Sequence, residues 1–310
     1  MTALDAVASY IPDRRIPIDA FAEELALSEK QVKLFRRFHG LADVAREPDR
    51  TLADLLRSTI GALPELRGQE HRVRYVLYAR SIPVGVPFPM NPLHDVCREM
   101  GLGHAITFTV THHACASSLL AVEIAGRMLA SDGEPGALAL VLAGEKTFTR
   151  DAQQVPETTF FGEGASACLV SADGQRDRLL SYATIIRGDF DGRLAEDADL
   201  LLRYQRAYPE ALAEVIHTAA DLAGVTLDDL SLILPHNVNV ISWKRMCKNL
   251  GFPVTRVVLD NVPVAGHSFC ADPFINYRIA ADRGAFRPGD RYMVAAAGLG
   301  ATFSAMVFEH

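Results

Sequence analysis

The sequence predicts an α/β fold made of two similar halves, residues 1–172 and 173–310. Strand-like and helix-like segments alternate along the whole chain, which is typical of a largely parallel sheet. A glycine-rich turn between two strands recurs near the end of each half, at 161–167 and at 298–302. Upstream of each turn, a strand leads through small residues into a helix. We therefore expect the halves to be related by a pseudo-twofold axis.

The elements of the first half follow from residue spacing and from end signals. Thr51 opens a helix, with Asp54 three residues later in a variant of the capping box. The stretch 106–110 alternates and is rich in β-branched residues, which predicts a strand that runs into a turn. In order, the predicted elements are helix 18–34, helix 51–63, strand 73–79, a helix that begins near Pro92, strand 106–110, helix 116–130, strand 138–143 and strand 165–170.

The second half shows the same alternation. Gly251 ends one helix, because glycine readily takes the left-handed conformation that closes a helix. The predicted order is helix 209–223, strand 232–234, helix 240–250, strand 257–259, helix 273–281, strand 292–296 and strand 302–308. Each half therefore places a strand, a small-residue turn and a helix before its glycine turn.

Composition argues against several classes of protein. Hydrophobic residues make up 49% and charged residues 22% of the chain, as in a globular protein with a sizeable core. No apolar run approaches the roughly 18 residues of a membrane span, and the N-terminus lacks the layout of a secretory signal, so we expect a cytoplasmic protein without a membrane segment. Five scattered cysteines without a CxxC pair argue against disulfides and against a metal site. The net charge of −7 argues against nucleic-acid binding.

Cys115 lies directly before the apolar helix 116–130, in the sequence His-His-Ala-Cys-Ala-Ser-Ser. A cysteine at the start of a helix is close to unpaired backbone N–H groups and to the positive end of the helix dipole, and both favour the thiolate. The thiolate is the form that attacks a carbonyl carbon. A buried structural cysteine is the commoner alternative, so the assignment of a nucleophile depends on the residues that accompany Cys115.

Two histidines lie at comparable strand-to-helix turns. His236 follows the strand 232–234, and His267 lies in the sequence Ala-Gly-His-Ser-Phe before the helix 273–281. Ligands of open α/β sheets bind at the ends of strands. A single histidine in such a turn is more often a hydrogen-bonded structural residue than a catalyst, but three candidates at three turns are harder to dismiss. If the halves pack face to face, the sulfur and both imidazoles point into one central site.

These motifs, in this order, resemble the ketoacyl-acyl-carrier-protein synthase III family of the thiolase superfamily over nearly the whole chain. The matches are Cys115, Pro-His-x-x-Asn at 235–239, Phe-Gly-Glu-Gly-Ala at 161–165, and the glycine turn with Gly298 and Gly300. The resemblance implies a thiolase fold in α/β/α/β/α layers and a homodimer. It also implies an acyltransferase of fatty acid or polyketide biosynthesis that carries its acyl group on Cys115.

The resemblance further implies roles for single residues. The backbone N–H groups of Cys115 and Gly298 would form an oxyanion hole, which stabilises the charge on a tetrahedral intermediate. Asn239 would line the substrate pocket. Phe88, in the sequence Val-Pro-Phe-Pro, would cross the dimer interface to form part of the partner's acyl pocket. A core aromatic residue beside prolines is the alternative for Phe88.

The chain departs from the family at position 267, where a histidine replaces the asparagine of the usual Gly-Asn-x-Ser motif. Two imidazoles and a cysteine resemble the elongating ketosynthases, in which both rings hydrogen-bond the carbonyl group of a malonyl thioester while carbon dioxide leaves. On this interpretation Cys115 carries the acyl chain, and His236 and His267 stabilise the enolate of a decarboxylative Claisen condensation. The altered motif also favours specialised metabolism.

Asp272, five residues after His267, supports an alternative. Relatives with this combination transfer an acyl group to a hydroxyl or another heteroatom without condensation, and a carboxylate that orients an imidazole makes it a better general base. Helix capping is the other role for Asp272, because Pro273 follows it. We favour condensation at this point, since simple transfer needs one imidazole and His236 supplies a second. A non-catalytic subunit and a thioesterase are further alternatives.

No cofactor is expected, and the acyl donor would be a coenzyme A thioester or an acyl-carrier-protein thioester. The positions that hold an aromatic residue and an arginine for coenzyme A in the family correspond to Leu34 and Phe38 here, which favours a carrier protein. Carrier proteins are acidic, and the helix beyond His236 carries a basic cluster that we predict to dock them. The cluster consists of Lys244, Arg245 and Lys248. A solvated helix face is the simpler explanation.

Overall fold

The computed structural model describes residues 1–87, 89–150, 152–190 and 197–310 of the protein. Within these ranges the strands are β1 (Ala3–Tyr10), β2 (Arg15–Pro17), β3 (Asp43–Ala45), β4 (Val73–Ala79), β5 (Ile106–Val110), β6 (Leu138–Glu145), β7 (Gln154–Val155), β8 (Thr159–Phe160), β9 (Gly164–Ser171), β10 (Arg178–Ile186), β11 (Leu230–Pro235), β12 (Arg291–Gly298) and β13 (Thr302–Glu309). The helices there are α1 (Glu29–Leu34), α2 (Leu52–Gly61), α3 (Pro92–Glu99), α4 (Ser117–Asp132), α5 (Ala198–Ala223), α6 (Val240–Leu250), α7 (Val262–Ala265) and α8 (Asp272–Asp282).

The central sheet repeats one strand order in both halves. In the first half the order β1-β9-β6-β4-β5 contains two antiparallel pairs followed by two parallel pairs. In the second half β10-β13-β12-β11 contains two antiparallel pairs and a parallel pair, and Val257 adds a parallel bridge to Ile233 where β5 stands in the first half. The halves join where β1 pairs with β10. The repeat supports a pseudo-twofold, and the proposed division after residue 172 lies between β9 and β10.

Helices cover the sheet on both faces and separate its two halves. α4 and α8 lie between the halves, where Leu119, Val122 and Phe274 are buried in a core that both halves share. α2 and α3 cover the outer face of the first half, and α5 and α6 cover the outer face of the second. The result is the predicted α/β/α/β/α layering. The starts of α4 and α8 are in contact, because the hydroxyl of Ser118 donates to the carbonyl of Cys270 at 2.6 Å.

One stretch, Ala114–Asp132, is long and apolar enough to cross a membrane by length and composition alone. In the structure this stretch comprises α4 and the turn before it. Leu119, Ala121 and Ala125 of α4 are fully buried between the two halves of the sheet. The apolar composition of the stretch is therefore that of a central core helix.

Three segments differ from their predictions, and the first is the predicted strand 257–259, which forms only an isolated bridge from Val257 to Ile233. The predicted helix 18–34 is instead a 3₁₀ turn at Ile18–Phe21 followed by the separate helix α1, because Ala26 between them takes a left-handed conformation (φ 54°). α5 begins at Ala198 and runs through Pro209. Proline is favoured in the first turn of a helix, and that preference placed the predicted start of α5 too late.

Other elements match their local signals. The side chain of Thr51 accepts a hydrogen bond from the backbone N–H of Asp54 (3.2 Å), whose carboxylate accepts one from the N–H of Thr51 (2.9 Å), so the capping box is confirmed. β4 and β5 have their predicted bounds. α6 ends at Gly251, which has a φ of 67°. These ends are encoded by short-range contacts, which explains why the sequence predicts them.

Candidate active site

Cys115 lies in a tight turn between β5 and α4. The backbone is left-handed at His112 (φ 70°) and at Ala114 (φ 44°), a conformation that costs energy for residues other than glycine. A 3₁₀ turn at 114–116 continues into α4. The sulfur of Cys115 is 3.6 Å from the hydroxyl oxygen of Ser81, and the residue is 5% exposed. Cys115 thus precedes an apolar helix, as the sequence predicts.

The second glycine turn packs against the turn of Cys115. Gly298 is the last residue of β12. A Cβ atom added to Gly298 would overlap the carbonyl oxygen of His113 and would lie 2.9 Å from the Cβ atom of Ala114. Only glycine allows the two backbones to approach this closely. The backbone of Gly298 therefore lies beside the residues that lead into Cys115, the location that an oxyanion hole shared by these two residues requires.

The first glycine turn makes the equivalent contact with the turn of His267. A Cβ atom added to Gly162 would overlap the carbonyl oxygen of Ala265, and the N–H of Gly162 donates to the carbonyl of His267 at 3.0 Å. Phe161 stacks on the imidazole of His267, with ring centroids 5.0 Å apart, and on the ring of Phe269 at 4.3 Å. Each half therefore packs its glycine turn against the site turn of the other half.

The imidazole of His267 is bound to the carboxylate of Asp272. Nδ1 of His267 hydrogen-bonds Oδ2 of Asp272, and both residues are buried. Asp272 also accepts hydrogen bonds from the N–H of Ser268 (2.7 Å), the N–H of Asn237 (2.6 Å) and the side-chain amide of Asn237 (3.2 Å). The cap position of α8 is occupied by Ala271, and Asp272 is the first helical residue. The carboxylate thus binds the turn of His267, and helix capping does not account for it.

Asp272 and Cys115 control the protonation of His267. Burial lowers the pKa of the ring, but the charges of Asp272 and Cys115, together with the hydrogen bonds that both make to the ring, raise the pKa of His267 to about 10. At neutral pH the imidazole therefore carries a positive charge between a buried carboxylate and the sulfur of Cys115. This arrangement places a transferable proton next to the candidate nucleophile.

His236, at the end of β11, is in a different protonation state. It is 2% exposed, and its Nε2 atom lies 3.0 Å from the hydroxyl oxygen of Tyr208. Burial lowers the pKa of His236, and the charge of His267 lowers it further, to about 3. The ring of His236 is therefore neutral at physiological pH. The two imidazole centroids are 5.9 Å apart in an edge-to-face arrangement, so both predicted histidines lie in one site.

Tyr204 and Tyr208 complete this wall of the site, and neither was among the residues predicted from the sequence. Both belong to α5, one turn apart, with ring centroids 5.8 Å apart. The predicted helix began at Pro209, which left both tyrosines outside it. Leu200, Tyr204, Tyr208 and Leu212 recur every four residues, and this helical spacing continues through Pro209. That periodicity is the signal that would have found them.

Two cavities meet at Cys115, one of about 290 Å³ and one of about 630 Å³. His236, His267 and Tyr208 line the smaller cavity. The larger one is lined mainly by apolar side chains: Ile82, Pro83, Ala152, Phe161, Ile186, Phe269 and Leu299. A sulfur between the two can hold an acyl chain in the larger cavity while a second substrate approaches through the smaller one, beside the two imidazoles.

Asn239 lines the smaller cavity, but its amide is engaged by the protein. Its Oδ1 atom accepts a hydrogen bond from the N–H of Ser242 (2.7 Å), which caps α6, and its Nδ2 atom donates to the carbonyl of Thr158 (3.0 Å). Asn239 therefore fixes the start of α6 relative to the segment at Thr158. A direct contact with substrate stays a prediction.

The basic cluster of α6 is exposed beside the smaller cavity. Lys244, Arg245 and Lys248 all face solvent, and Arg245 also lines the cavity. A carrier protein that bound this cluster would stand next to the route to Cys115. Phe88, the predicted part of the acyl pocket, lies outside the described residues.

The chain is similar to known proteins over its whole length. Residues 220–310 match the family described as 3-oxoacyl-[acyl-carrier-protein (ACP)] synthase III C terminal. A β-ketoacyl-[acyl-carrier-protein] synthase III of Ruegeria sp. (strain TM1040) is 27% identical over 322 residues, which cover 97% of this chain and 96% of the relative. The solved structure of ChlB3, an acyltransferase by its description, has a TM-score of 0.85 at 20% identity and covers 99% of this chain and 97% of its own. The 3-oxoacyl-[acyl-carrier-protein] synthase III of Aquifex aeolicus VF5 has a TM-score of 0.83 at 18% identity, with 100% of both chains covered.

The sequence and fold comparisons cover the segments that carry the candidate site. The region that matches the family model contains His236, His267, Asp272 and Gly298. The solved structures share the fold of both halves, including the half that carries Cys115. Residues 220–310 therefore match the C-terminal part of the ketoacyl-acyl-carrier-protein synthase III family, the whole chain is similar to enzymes of that name, and it is an acyltransferase of this type.

Proposed function

We propose that this enzyme takes an acyl group from a thioester onto Cys115 and transfers it to a hydroxyl, amine or thiol group of a second substrate. The observation that carries the proposal is the hydrogen bond between His267 and the buried carboxylate of Asp272. Sulfur, imidazole and carboxylate then act as a triad, in which the carboxylate orients a ring that moves a proton. Condensation after loss of carbon dioxide removes no proton from the second substrate, so it does not need this carboxylate.

In the first step the sulfur of Cys115 attacks the carbonyl carbon of the donor thioester. The raised pKa of His267 supports this step, because an imidazolium beside the sulfur stabilises its attacking form. The tetrahedral intermediate then expels the thiolate of the donor, which takes the proton of His267. The products are acyl-Cys115, a neutral His267 and the free thiol, so protons and charges balance.

In the second step the neutral ring of His267 accepts the proton of the acceptor as its heteroatom attacks the acyl carbon. Cys115 leaves as the thiolate, and the ion pair between His267 and Asp272 is restored. Asp272 stays ionised throughout and stabilises the imidazolium that forms again. Each turnover therefore carries one proton from the acceptor to the donor thiol through His267.

Both steps develop negative charge on the former carbonyl oxygen of the acyl group. The packing of Gly298 against the turn of Cys115 supports the backbone N–H groups of these two residues as the binding site for that oxygen. Such donors are worth about 3 kcal/mol each in other enzymes. They act equally on loading and on transfer, since both pass through a tetrahedral intermediate.

Decarboxylative condensation with a malonyl-type thioester is the second candidate. It is supported by the name of the Ruegeria relative and by the two imidazoles in one cavity. The sequence alone favoured it because His236 supplies a second ring. In the structure, however, Nε2 of His236 is bound to Tyr208 and Nδ1 of His267 is bound to Asp272. These partners shift our preference to transfer without condensation.

We further propose that the acyl donor is a carrier-protein thioester. The exposed cluster of Lys244, Arg245 and Lys248 beside the smaller cavity supports this donor, because carrier proteins are acidic and complementary charges steer association. A coenzyme A thioester is the alternative donor. The experiment below compares the two directly.

A homodimer is the proposed assembly. β5 is the edge strand of the first half of the sheet, and Ile106 at its start is 58% exposed. An exposed edge strand with an apolar residue is a pairing surface for a second copy. We expect sedimentation to give a dimer for the wild type and a monomer for Ile106→Lys. A wild type that stays monomeric at micromolar concentration would contradict the assignment.

Mass spectrometry of the intact protein, incubated with a panel of acyl-coenzyme A and acyl-carrier-protein thioesters, tests the proposed function. We expect an acyl adduct that is discharged by hydroxyl, amine or thiol acceptors, without release of carbon dioxide from malonyl thioester. Release of one carbon dioxide for each acyl group discharged would establish condensation instead. Discharge by water at the same rate with and without every acceptor would identify a thioesterase.

A further inference from the structure

Tyr208 lies in the site, and neither the triad nor the oxyanion hole explains its function. Its hydroxyl is 3.0 Å from Nε2 of His236, and its ring is held by edge contacts with Tyr204 and Phe303, both at centroid distances of 5.8 Å. It lines the smaller cavity beside both imidazoles. A side chain fixed in this way presents its hydroxyl to one nitrogen of one ring.

The chemistry of the two groups favours one direction for this hydrogen bond. A neutral imidazole carries one hydrogen, on either of its two nitrogens. Burial raises the pKa of Tyr208, so the hydroxyl keeps its hydrogen. A phenol O–H is a stronger hydrogen-bond donor than a neutral imidazole N–H, and an imidazole nitrogen is the stronger acceptor, which favours donation from Tyr208 to the ring. The carbonyl of Ala295 accepts the backbone N–H of His236 at 2.9 Å, and Nδ1 of the ring has no hydrogen-bond partner among the described residues. With Tyr208 as the donor, Nε2 is the acceptor and the ring hydrogen is on Nδ1.

We propose that Tyr208 is a positioning residue that directs the enzyme toward transfer without condensation, because it occupies the nitrogen of His236 that condensation would need as a donor. The inference rests on the proposed function, since it explains how a site with two imidazoles avoids a second reaction. In condensation, carbon dioxide leaves the malonyl thioester, and the electrons of the broken bond move onto the thioester carbonyl as an enolate. The enolate carbon then attacks acyl-Cys115 and expels its sulfur. An Nε2 atom that accepts a hydrogen bond from Tyr208 has no hydrogen to give to the enolate oxygen.

Removal of the hydroxyl group of Tyr208 tests the inference, because phenylalanine keeps the aromatic ring of residue 208 in place. Tyr208→Phe frees Nε2, so the ring hydrogen can move there and point into the cavity. The measured quantity is the ratio of carbon dioxide released from malonyl-carrier-protein to acyl groups discharged, with an enzyme first loaded from an acyl thioester. We expect this ratio to rise about tenfold or more, since one donor to a developing oxyanion is worth about 100-fold where it has been measured. The double variant Tyr208→Phe/His236→Ala should lose the gain.

Tyr75→Phe is the matched control. It also removes one hydrogen bond of a phenol, from Tyr75 to Asp132 at 2.6 Å, and Tyr75 belongs to β4 in the first half. It should leave the ratio unchanged. An unchanged ratio in Tyr208→Phe, with loading intact, would overturn the inference and leave the proposed function standing. Condensation by the wild type would overturn both, so the two failures are distinguishable. Should Tyr208→Phe not fold, nitrogen-15 shifts of His236 in the wild type decide, because a hydrogen found on Nε2 contradicts the inference.

Discussion

The turn that carries Cys115 and the turn that carries His267 occupy equivalent places in the two halves, but they differ at the start of the helix that follows. Both lead into a central helix, both are supported by the glycine turn of the opposite half, and both contain a left-handed residue, Ala114 in one and Phe269 in the other. α4 begins with a serine, whereas α8 begins with Asp272.

This difference divides the chemistry between the halves. A carboxylate at the start of α4 would repel a thiolate at Cys115 and cancel part of the favourable field of the helix N-terminus. At the start of α8 the same carboxylate binds Nδ1 of His267 and raises the pKa of the ring. The repeated scaffold therefore supplies two similar turns, and one residue at each helix start makes one turn a nucleophile site and the other a proton site.

Replacement of the cysteine in each turn by alanine should give the largest difference between the two halves. Cys115→Ala should abolish the acyl adduct and lower transfer about 1,000-fold or more, because loss of a nucleophile removes the covalent route. Cys270→Ala is the matched control, since Cys270 is fully buried and its sulfur donates to the carbonyl of Ala79 at 3.3 Å. We expect Cys270→Ala to form the adduct normally in intact-protein mass spectra. An adduct of the same mass on Cys115→Ala would contradict the nucleophile assignment.

Asp272→Asn should lower transfer to the acceptor about 100-fold to 10,000-fold, because the ring of His267 loses the carboxylate that holds its tautomer and charge. Loading should suffer less, since a thiolate leaves a thioester without prior protonation. Single-turnover kinetics should therefore show an adduct that forms and then persists. Asp177→Asn is the control, because Asp177 is another buried carboxylate bound to a histidine, His310, at 2.8 Å. Equal loss of transfer in both variants would assign Asp272 a structural role only.

The same variant has a pH dependence that follows from the raised pKa of His267. A group whose pKa is raised on folding, here from 6.5 to about 10, contributes stability that is fully present below pH 6.5 and is lost as the pH rises through 10. The free energy of unfolding of Asp272→Asn should therefore be lower than that of the wild type at pH 7, and this difference in stability should become smaller toward pH 10. Urea titrations of both proteins at the two pH values measure the difference. A difference that grows toward pH 10 would contradict the ion pair between His267 and Asp272.

Sequence reasoning located Cys115, His267 and Asp272 because short motifs carry them. A strand followed by small residues and an apolar helix predicts the turn of Cys115, and the spacing of five residues between His267 and Asp272 indicates their contact. It did not predict β1 and β10, which join the two halves, since their pairing with distant strands leaves no local pattern. It also missed Tyr208, because Pro209 reads locally as a helix start although tertiary packing keeps it inside α5.

Gly298→Ala and Gly162→Ala distinguish the functions of the two turns, because each variant disturbs one turn by steric overlap alone. The new methyl group of Gly298→Ala would displace the backbone at His113 and Ala114, so loading and transfer should both fall about 100-fold. Gly162→Ala would displace the turn of His267 through the carbonyl of Ala265, so it should slow transfer more than loading. Rates of adduct formation and discharge measure the difference.

Gly61→Ala is the control for the glycine variants, because nothing lies within 4 Å of a Cβ atom added at that position. It should leave both rates at the wild-type value and should not lower the melting temperature, since alanine is a better helix former than glycine. Identical patterns of loss in Gly298→Ala and Gly162→Ala would argue that both glycines serve only packing. The proposed division of labour between the turns would then have to be abandoned.

Charge reversal on α6 should have the smallest effect, because it acts on encounter with the donor and leaves both turns intact. Lys244→Glu/Arg245→Glu should slow loading from an acidic carrier protein about tenfold at low salt, and loading from a small acyl thioester should hardly change. The difference should shrink at high salt, where the Debye length falls to about 3 Å. Arg67→Glu, an exposed reversal beyond the end of α2, controls for net charge. Unchanged loading from carrier protein at low salt would mean that the basic cluster is a solvated face, and that the donor reaches Cys115 without it.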